Sequence, residues 1–262
     1  MTDAGRPATF LVEACNEHGE TVSTAIAGEH PLTIYLDKRE IVTLMTLGQA
    51  PEALVLGYLR NQRLVRSIED VESVQVDWET GACAVTTTVS RINLDQYLKK
   101  RTVTTGCGQG TVFGDLMTEV DRVALSDKAT INTAGLYALL EAVRLRETVY
   151  KRAGAVHGCA LAHDRQIIYF VEDVGRHNAV DAIAGLMWLD NIAGDDKIFY
   201  TTGRLTSEMV IKCAQMRIPI LVSRSGLTRM GWEVARKIGL TMIGRATGKH
   251  FLLFTGNNRF ER

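Results

Sequence analysis

Apolar and polar positions alternate along much of the first hundred residues. PLTIYLD (31–37), SVQVDWE (73–79) and ACAVTTTVS (82–90) show the period of two, or the β-branched content, that a half-buried strand requires. Between them, PEALVLGYLRNQRLV (51–65) spaces Ala53, Leu56, Leu59 and Leu64 along one face of a helix. The chain then turns polar and basic over 91–101. It continues as TVTTGCGQGTVFG (102–114), which is too rich in glycine for a regular element and reads as an exposed loop between two halves.

The second half has a different rhythm. Asn132 can cap a helix whose apolar face holds Leu136, Leu139, Leu140 and Val143. VHGCALAH and QIIYFVED predict a strand pair, and HNAVDAIAGLMWLD (177–190) predicts an amphipathic helix. KIFYTT, SEMVIKCAQM, IPILVS, TRMGWEVARKI and LTMIG follow as strand, helix, strand, helix and strand, with FLLFTG as a last strand. Short apolar strands alternating with helices of about ten residues predict βαβ units. The expected architecture is α/β (α+β overall). It has a smaller strand/helix domain over 1–127 and an α/β domain over 128–262 with a mixed, largely parallel sheet.

Composition narrows the class. With 262 residues, 46% hydrophobic and only 4 Pro, the chain can bury a full core and is neither disordered nor fibrous. No apolar run approaches the ~20 residues that span a bilayer. MTDAGRPATF lacks the basic-then-apolar layout of a secretory signal, so a cytoplasmic protein without a membrane partner is expected. Five scattered cysteines (15, 83, 107, 159, 213) form no disulfide framework and suit a reducing compartment. The net charge is zero but uneven: from residue 201 onward there are 11 Lys/Arg against three Glu and no Asp, or +8, which leaves −8 for the first 200 residues. Such asymmetry points to a local anionic ligand rather than a nucleic acid.

In an open α/β sheet that ligand belongs beyond the carboxyl ends of the strands. Those ends carry Thr202-Gly203-Arg204, Ser223-Arg224-Ser225-Gly226 and Gly244-Arg245-Ala246-Thr247-Gly248-Lys249-His250. Each run combines glycine, which lets backbone N–H groups approach, with a cation, and three on one edge suit a phosphorylated or nucleotide-like molecule. GRATGKH is not a Walker A loop, having three residues between its glycines and no Ser/Thr after Lys249. GCGQG likewise fails the Rossmann spacing. Cys107 sits in TTGCGQG with little to pack against; exposure and nearby Lys99, Lys100 and Arg101 would favour its thiolate. Cys83, Cys159 and Cys213 fall within strand or helix patterns and read as core. His157, Cys159 and His163 share a strand face, but no C-x-x-C exists and no metal ion is expected. His177, beside Glu172, Asp173, Arg176 and Asp181, is either part of a capping and salt-bridge cluster or a group that moves a proton or orients a ligand.

Read in order, TGCGQG, VHGCAL, FVEDVGRHNAVD, TTGRLTSEMVIKCA and LTMIGRATGKHFLLFTG resemble the formate dehydrogenase accessory sulfurtransferase family (FdhD). LMTLGQAPEALVLGYLRNQRLV resembles that family's N-terminal segment, so the likeness covers the chain from about residue 30 onward, with EDVGRHNAVD its most specific motif. The resemblance implies a homodimer whose C-terminal domain has a three-layer, cytidine deaminase-like fold. It further implies a sulfurtransferase that accepts sulfur from a cysteine desulfurase as a cysteine persulfide. That sulfur would go to the molybdenum cofactor, bis-molybdopterin guanine dinucleotide, of a formate dehydrogenase or related molybdenum enzyme. The persulfide cysteine aligns with Cys107, and the cofactor-binding stretch with Arg245, Ala246, Thr247, Gly248, Lys249 and His250; the strand-end reading adds Gly203, Arg204, Ser223 and Arg224. The chain departs from the family in three places: Gly110 replaces the second cysteine of a C-G-x-C loop, SRSGLT (223–228) replaces a Ser-Ala-Pro-Thr run, and Arg245 stands where an aromatic residue is frequent. The zinc ligands of a deaminase are absent, which disfavours deamination. The competing reading is a non-catalytic, molybdenum-cofactor-binding chaperone in which Cys107 is incidental.

Overall fold

Alternating burial builds the first of two main sheets. The computed structural model describes residues 1–88 and 123–261. In it β3 (His30–Leu36) turns Leu32, Ile34 and Leu36 inward, and β4 (Arg39–Thr46) turns in Ile41 and Leu44. With β5 (Val71–Asp77) and β6 (Ala82–Thr87) they form a sheet in the order β4-β3-β6-β5, whose central pair is parallel and outer pairs antiparallel. α1 (Pro51–Asn61) packs Leu54, Leu56 and Leu59 into its core, and Pro51 occupies the first turn, where a missing N–H costs nothing. A hairpin of β1 (Thr9–Cys15) and β2 (Thr21–Ala27) precedes this sheet.

The second half forms a six-stranded sheet in the order β13-β12-β11-β10-β8-β9. Its strands are β8 (His157–His163), β9 (Gln166–Asp173), β10 (Ile198–Thr201), β11 (Ile220–Ser223), β12 (Thr241–Thr247) and β13 (His250–Thr255). The sheet is mixed but not largely parallel: only β10–β11 and β11–β12 run parallel, and the other three pairs are antiparallel. Connection lengths explain the correction. β8–β9 and β12–β13 are tight hairpins turning at Asp164 (φ 53°) and Gly248 (φ 56°), and such hairpins join antiparallel strands. The crossover from β9 then sets β10 parallel to β9, hence antiparallel to the β8 beside it.

The helices sort onto the two faces. α2 (Thr133–Arg146) covers one face, packing Leu136, Leu139 and Val143 on Ala160, Tyr200, Val222 and Ile243. Its start is fixed by Asn132, whose Oδ1 accepts the Gly135 N–H at 2.8 Å. α4 (Arg176–Leu189), α5 (Ser207–Gln215) and α6 (Arg229–Lys237) cover the other, over Cys159, Leu161, Phe199, Leu221 and Met242. The result is three layers, with the short α3 (Val149–Ala153) at the margin. A small parallel pair, β7 (Ile131–Asn132) with β14 (Phe260–Glu261), closes the chain. No helix among the described residues is long and apolar enough to cross a membrane.

α1 and α4 join the halves at very close range. A Cβ on Gly57 would lie 1.7 Å from the Asp181 carbonyl oxygen, and one on Gly185 would lie 1.9 Å from that of Ala53. Asp181, fully buried at this crossing, accepts from Lys212 Nζ at 2.8 and 2.7 Å and from Asn61 Nδ2 at 2.7 Å.

Candidate functional site

The carboxyl ends of β10 and β11 lie side by side and the middle of β12 runs alongside them, with side-chain hydroxyls binding the β10 and β11 ends together. Thr201 Oγ1 accepts the Gly203 N–H at 3.1 Å, Ser223 Oγ donates to the Gly203 carbonyl at 2.7 Å, and the Ser225 N–H returns to Ser223 Oγ at 2.9 Å. Leu205 N–H reaches the Gly226 carbonyl at 3.0 Å, and Arg245 N–H reaches that of Ser225 at 2.9 Å. Gly203, Arg204, Ser223, Arg224 and Arg245 therefore share one edge. A Cβ on Gly203 would fall 2.6 Å from Arg176 Cδ, whose side chain lies across it.

Three guanidinium groups act on one histidine at this edge. His157 Nδ1 lies 3.2 Å from Thr202 Oγ1, which also accepts the Gly158 N–H at 3.1 Å. Burial, then Arg176, Arg224 and Arg204, push the His157 pKa below its usual value. Arg224 bonds Glu147 Oε1 at 3.0 Å and stacks on the Tyr150 ring at 4.8 Å, whereas Arg204 is exposed. Behind them, His177 is 1% exposed, with Nε2 3.3 Å from Glu208 Oε2. Its pKa is driven down to about 2 by burial, then by Lys212, Arg176, His157 and Arg204.

The EDVGRHNAVD motif separates into structural and site-facing members. Glu172 accepts the backbone N–H groups of Thr148, Val149 and Tyr150, each at 2.9 Å, and so holds the start of α3. Asp173 accepts from Thr46 Oγ1 at 2.5 Å, the Leu47 N–H at 3.2 Å, Gly175 N–H at 3.2 Å and Asn178 Nδ2 at 2.8 Å, tying the end of β4 to the start of α4. With Asp181 in the helix crossing, the carboxylates are structural, while Arg176 and His177 face the site. Sequence reading placed His157 and His177 apart and did not assign Arg176. The signal lay in Arg176 directly preceding His177.

The remaining expected site residues divide. GRATGKH is not a loop at a strand end: Arg245 and Thr247 continue β12, Ala246 is core, and His250 already pairs back with Thr247. Strong β-propensity in LTMI carries the strand on to the turn at Gly248. The Lys249 carbonyl is held by Tyr137 Oη at 2.8 Å. Cys107 lies outside the described residues. Cys83, Cys159 and Cys213 are buried, and desolvation pushes all three thiols up, Cys83 and Cys159 to about 12; Cys15 is exposed. His157, Cys159 and His163 do not converge, since Cys159 Sγ donates to Thr201 and His163 pairs with Asp196 at 3.3 Å. Among the described residues no three His, Cys, Asp or Glu side chains group as metal ligands.

The described residues thus form a three-layer α/β protein with a cationic edge on its second sheet and a buried histidine behind it. The sequence model of the FdhD/NarQ family matches residues 27–261, and the chain belongs to that family. It is 31% identical to the sulfur carrier protein FdhD of Listeria innocua over 246 residues, 93% of each chain. It is 29% identical to that of Geobacillus kaustophilus, over 89% of each chain. The structure matches that of a protein described as a formate dehydrogenase accessory protein from Desulfotalea psychrophila with a TM-score of 0.78. That match has 25% identity and covers 97% of this chain and all of the other.

Proposed function

We propose that this protein is a cytoplasmic sulfur carrier, a sulfurtransferase that holds sulfur as a persulfide on Cys107 for a formate dehydrogenase or related molybdenum enzyme. The observation that carries the choice of residue is the state of the other thiols. A carrier needs an accessible thiolate, and Cys83, Cys159 and Cys213 are buried with raised pKa values. Cys15 is exposed but precedes the family-matched segment. In the loading step, the Cys107 thiolate attacks the terminal sulfur of a cysteine desulfurase persulfide, and the desulfurase thiolate leaves. One S–S bond forms as one breaks, so no oxidant is needed.

The cargo in this reading is bis-molybdopterin guanine dinucleotide, bound as substrate. The Arg176, Arg204 and Arg224 edge suits its phosphates, and the family resemblance adds Arg245 to His250, a homodimer and a cytidine deaminase-like C-terminal domain. Intact mass after incubation with a cysteine desulfurase and cysteine tests the proposal. One added sulfur should appear, be removed by dithiothreitol and vanish in Cys107→Ala. Sulfur mapped to Cys159 or Cys213 with Cys107 unmodified would overturn it. Gly110, at the place of a second loop cysteine, favours one further reading, a cofactor-binding chaperone without sulfur transfer.

A further inference from the structure

The second sheet ends on β13, which pairs with β12 alone among the described residues. Between that edge strand and the end of α6 lies a cleft of about 640 Å³, within the size range of ligand sites. α6 begins beside the β10–β11 ends, where the Thr228 N–H reaches the Leu205 carbonyl, and finishes at this cleft. The two places are therefore separate.

Fixed backbone builds the walls. Gly256, at φ 75°, turns the chain out of β13, and a Cβ there would stand 2.5 Å from Thr241 Cα, so the turn is pressed against β12. Arg259, which is buried, donates to the Gly239 carbonyl at 2.6 Å and to that of Ser126 at 2.8 Å. Thr255 Oγ1 donates to the Leu240 carbonyl at 2.6 Å. These bonds fix the end of α6 relative to the end of β13.

Two aromatic rings and one guanidinium face the cleft. Trp232 comes from α6 and Phe254 from β13. The β12–β13 register shifts between Met242 and Ile243, which pair with Thr255 and Leu253, so Phe254 is the extra residue of a bulge. Bulges re-aim side chains in this way. Arg236, one turn beyond Trp232, places its guanidinium 4.7 Å from the indole centroid. Its side chain is exposed and has neither ion pair nor hydrogen-bond acceptor among the described residues. A guanidinium stacked on an aromatic ring keeps its donors free for a carboxylate. Trp and Arg are also the residues that most often dominate protein interfaces.

Charge selects the partner. No Asp or Glu lines the cleft. Glu233 of α6 is taken up by Arg229 at 2.8 Å, and Asp127 by Asn258 and Arg259. The chain from residue 201 onward carries +8. An edge strand with open outer backbone groups beside a cationic, aromatic cleft suits an extended acidic segment.

We propose that the α6–β13 cleft is a docking site for an acidic, extended segment of a partner protein. One large apolar side chain of that segment enters between Trp232 and Phe254, and a flanking carboxylate pairs with Arg236. The site goes beyond the proposed sulfur-carrier function and uses none of its residues.

The test is titration of the full chain with a blocked peptide, a phenylalanine flanked on both sides by glutamates, labelled for fluorescence anisotropy. The counterpart with glutamines should bind at least about tenfold more weakly, as loss of a charge-assisted pair does. Arg236→Ala should weaken the acidic peptide by a similar factor. Arg165→Ala, in the turn between β8 and β9 at the far edge of the sheet, should bind as the wild type does. Tryptophan emission should change on binding, and that change should vanish in Trp232→Phe, which keeps Trp78 and Trp188. Failure of the acidic peptide to bind, equal binding of the glutamine peptide, or indifference to Arg236→Ala overturns the proposal. A change of oligomeric state in Arg236→Ala, read by light scattering without peptide, also overturns it and assigns the cleft to a second copy of this chain.

Discussion

His177 shows how a single side chain couples the site to stability. Its pKa falls from 6.5 to about 2, chiefly through burial, and the surrounding charges are Lys212, Arg176, His157, Arg204 and Glu208. Below pH 6.5 the unfolded chain takes up a proton that the folded chain refuses. The contribution to stability is therefore full above pH 6.5 and is lost progressively as pH falls toward 2. At pH 5.0, one and a half units into that window, the loss is about 2 kcal/mol. Urea unfolding at pH 7.5 and 5.0 should show that drop in the wild type and a smaller one in His177→Gln. Equal pH dependence in the two proteins would show that the ring is not held neutral. Lys212 makes a different demand, because it is paired with Asp181 in a fully buried place. Lys212→Met leaves that carboxylate without its cation and should cost about 3–5 kcal/mol by the same measurement.

The same crossing of α1 over α4 gives a test at the level of elements. Helix propensity alone makes Gly→Ala favourable by about 1 kcal/mol in a helix interior. At Gly57, however, the new Cβ would stand 1.7 Å from the Asp181 carbonyl oxygen, a backbone atom that cannot swing away. The helices must separate, which pulls Asp181 from Asn61 and opens the shared core. Gly57→Ala should therefore destabilise by at least about 1–3 kcal/mol, the range of overpacked cores, and thermal unfolding would read the sign. Strand and helix positions in the second half were legible because their apolar runs are short and their periods distinct. Two features were not. β1 and β2 expose most of their side chains on both faces, so they leave little alternation to find. Strand direction is set by where each connection lands, which periodicity does not encode, and so the sheet turned out mostly antiparallel. The candidate site was half legible for a related reason. Arg204 and Arg224 follow strand ends directly, while Arg176 and His177 join them only because the crossover from β9 to β10 brings the start of α4 to that edge.

At the scale of the whole molecule, sulfur transfer and anion binding are assigned to different parts of the chain, so they can be separated. A sulfur carrier needs both its thiol and its anion site, whereas a chaperone needs only the site. Cys107→Ser changes one atom of a side chain and leaves every cation of the β10–β12 edge in the sequence. It should keep nucleotide affinity yet leave the client molybdenum enzyme inactive, with its cofactor inserted and short of sulfur. Arg204→Ala should do the reverse, retaining persulfide formation while weakening cofactor binding, because the removed cation is exposed and supports no described hydrogen bond. That weakening should shrink as salt rises, since exposed phosphate contacts are screened over about 8–10 Å at 0.1–0.15 M ionic strength. The decisive measurement is client activity in cells whose sole copy carries each variant, paired with intact mass of the purified proteins. Full client activity with Cys107→Ser would remove the sulfur-carrier reading and leave the chaperone. Inactivity with both variants, each retaining the other's measured property, would require thiol and anion site to act on the same cargo.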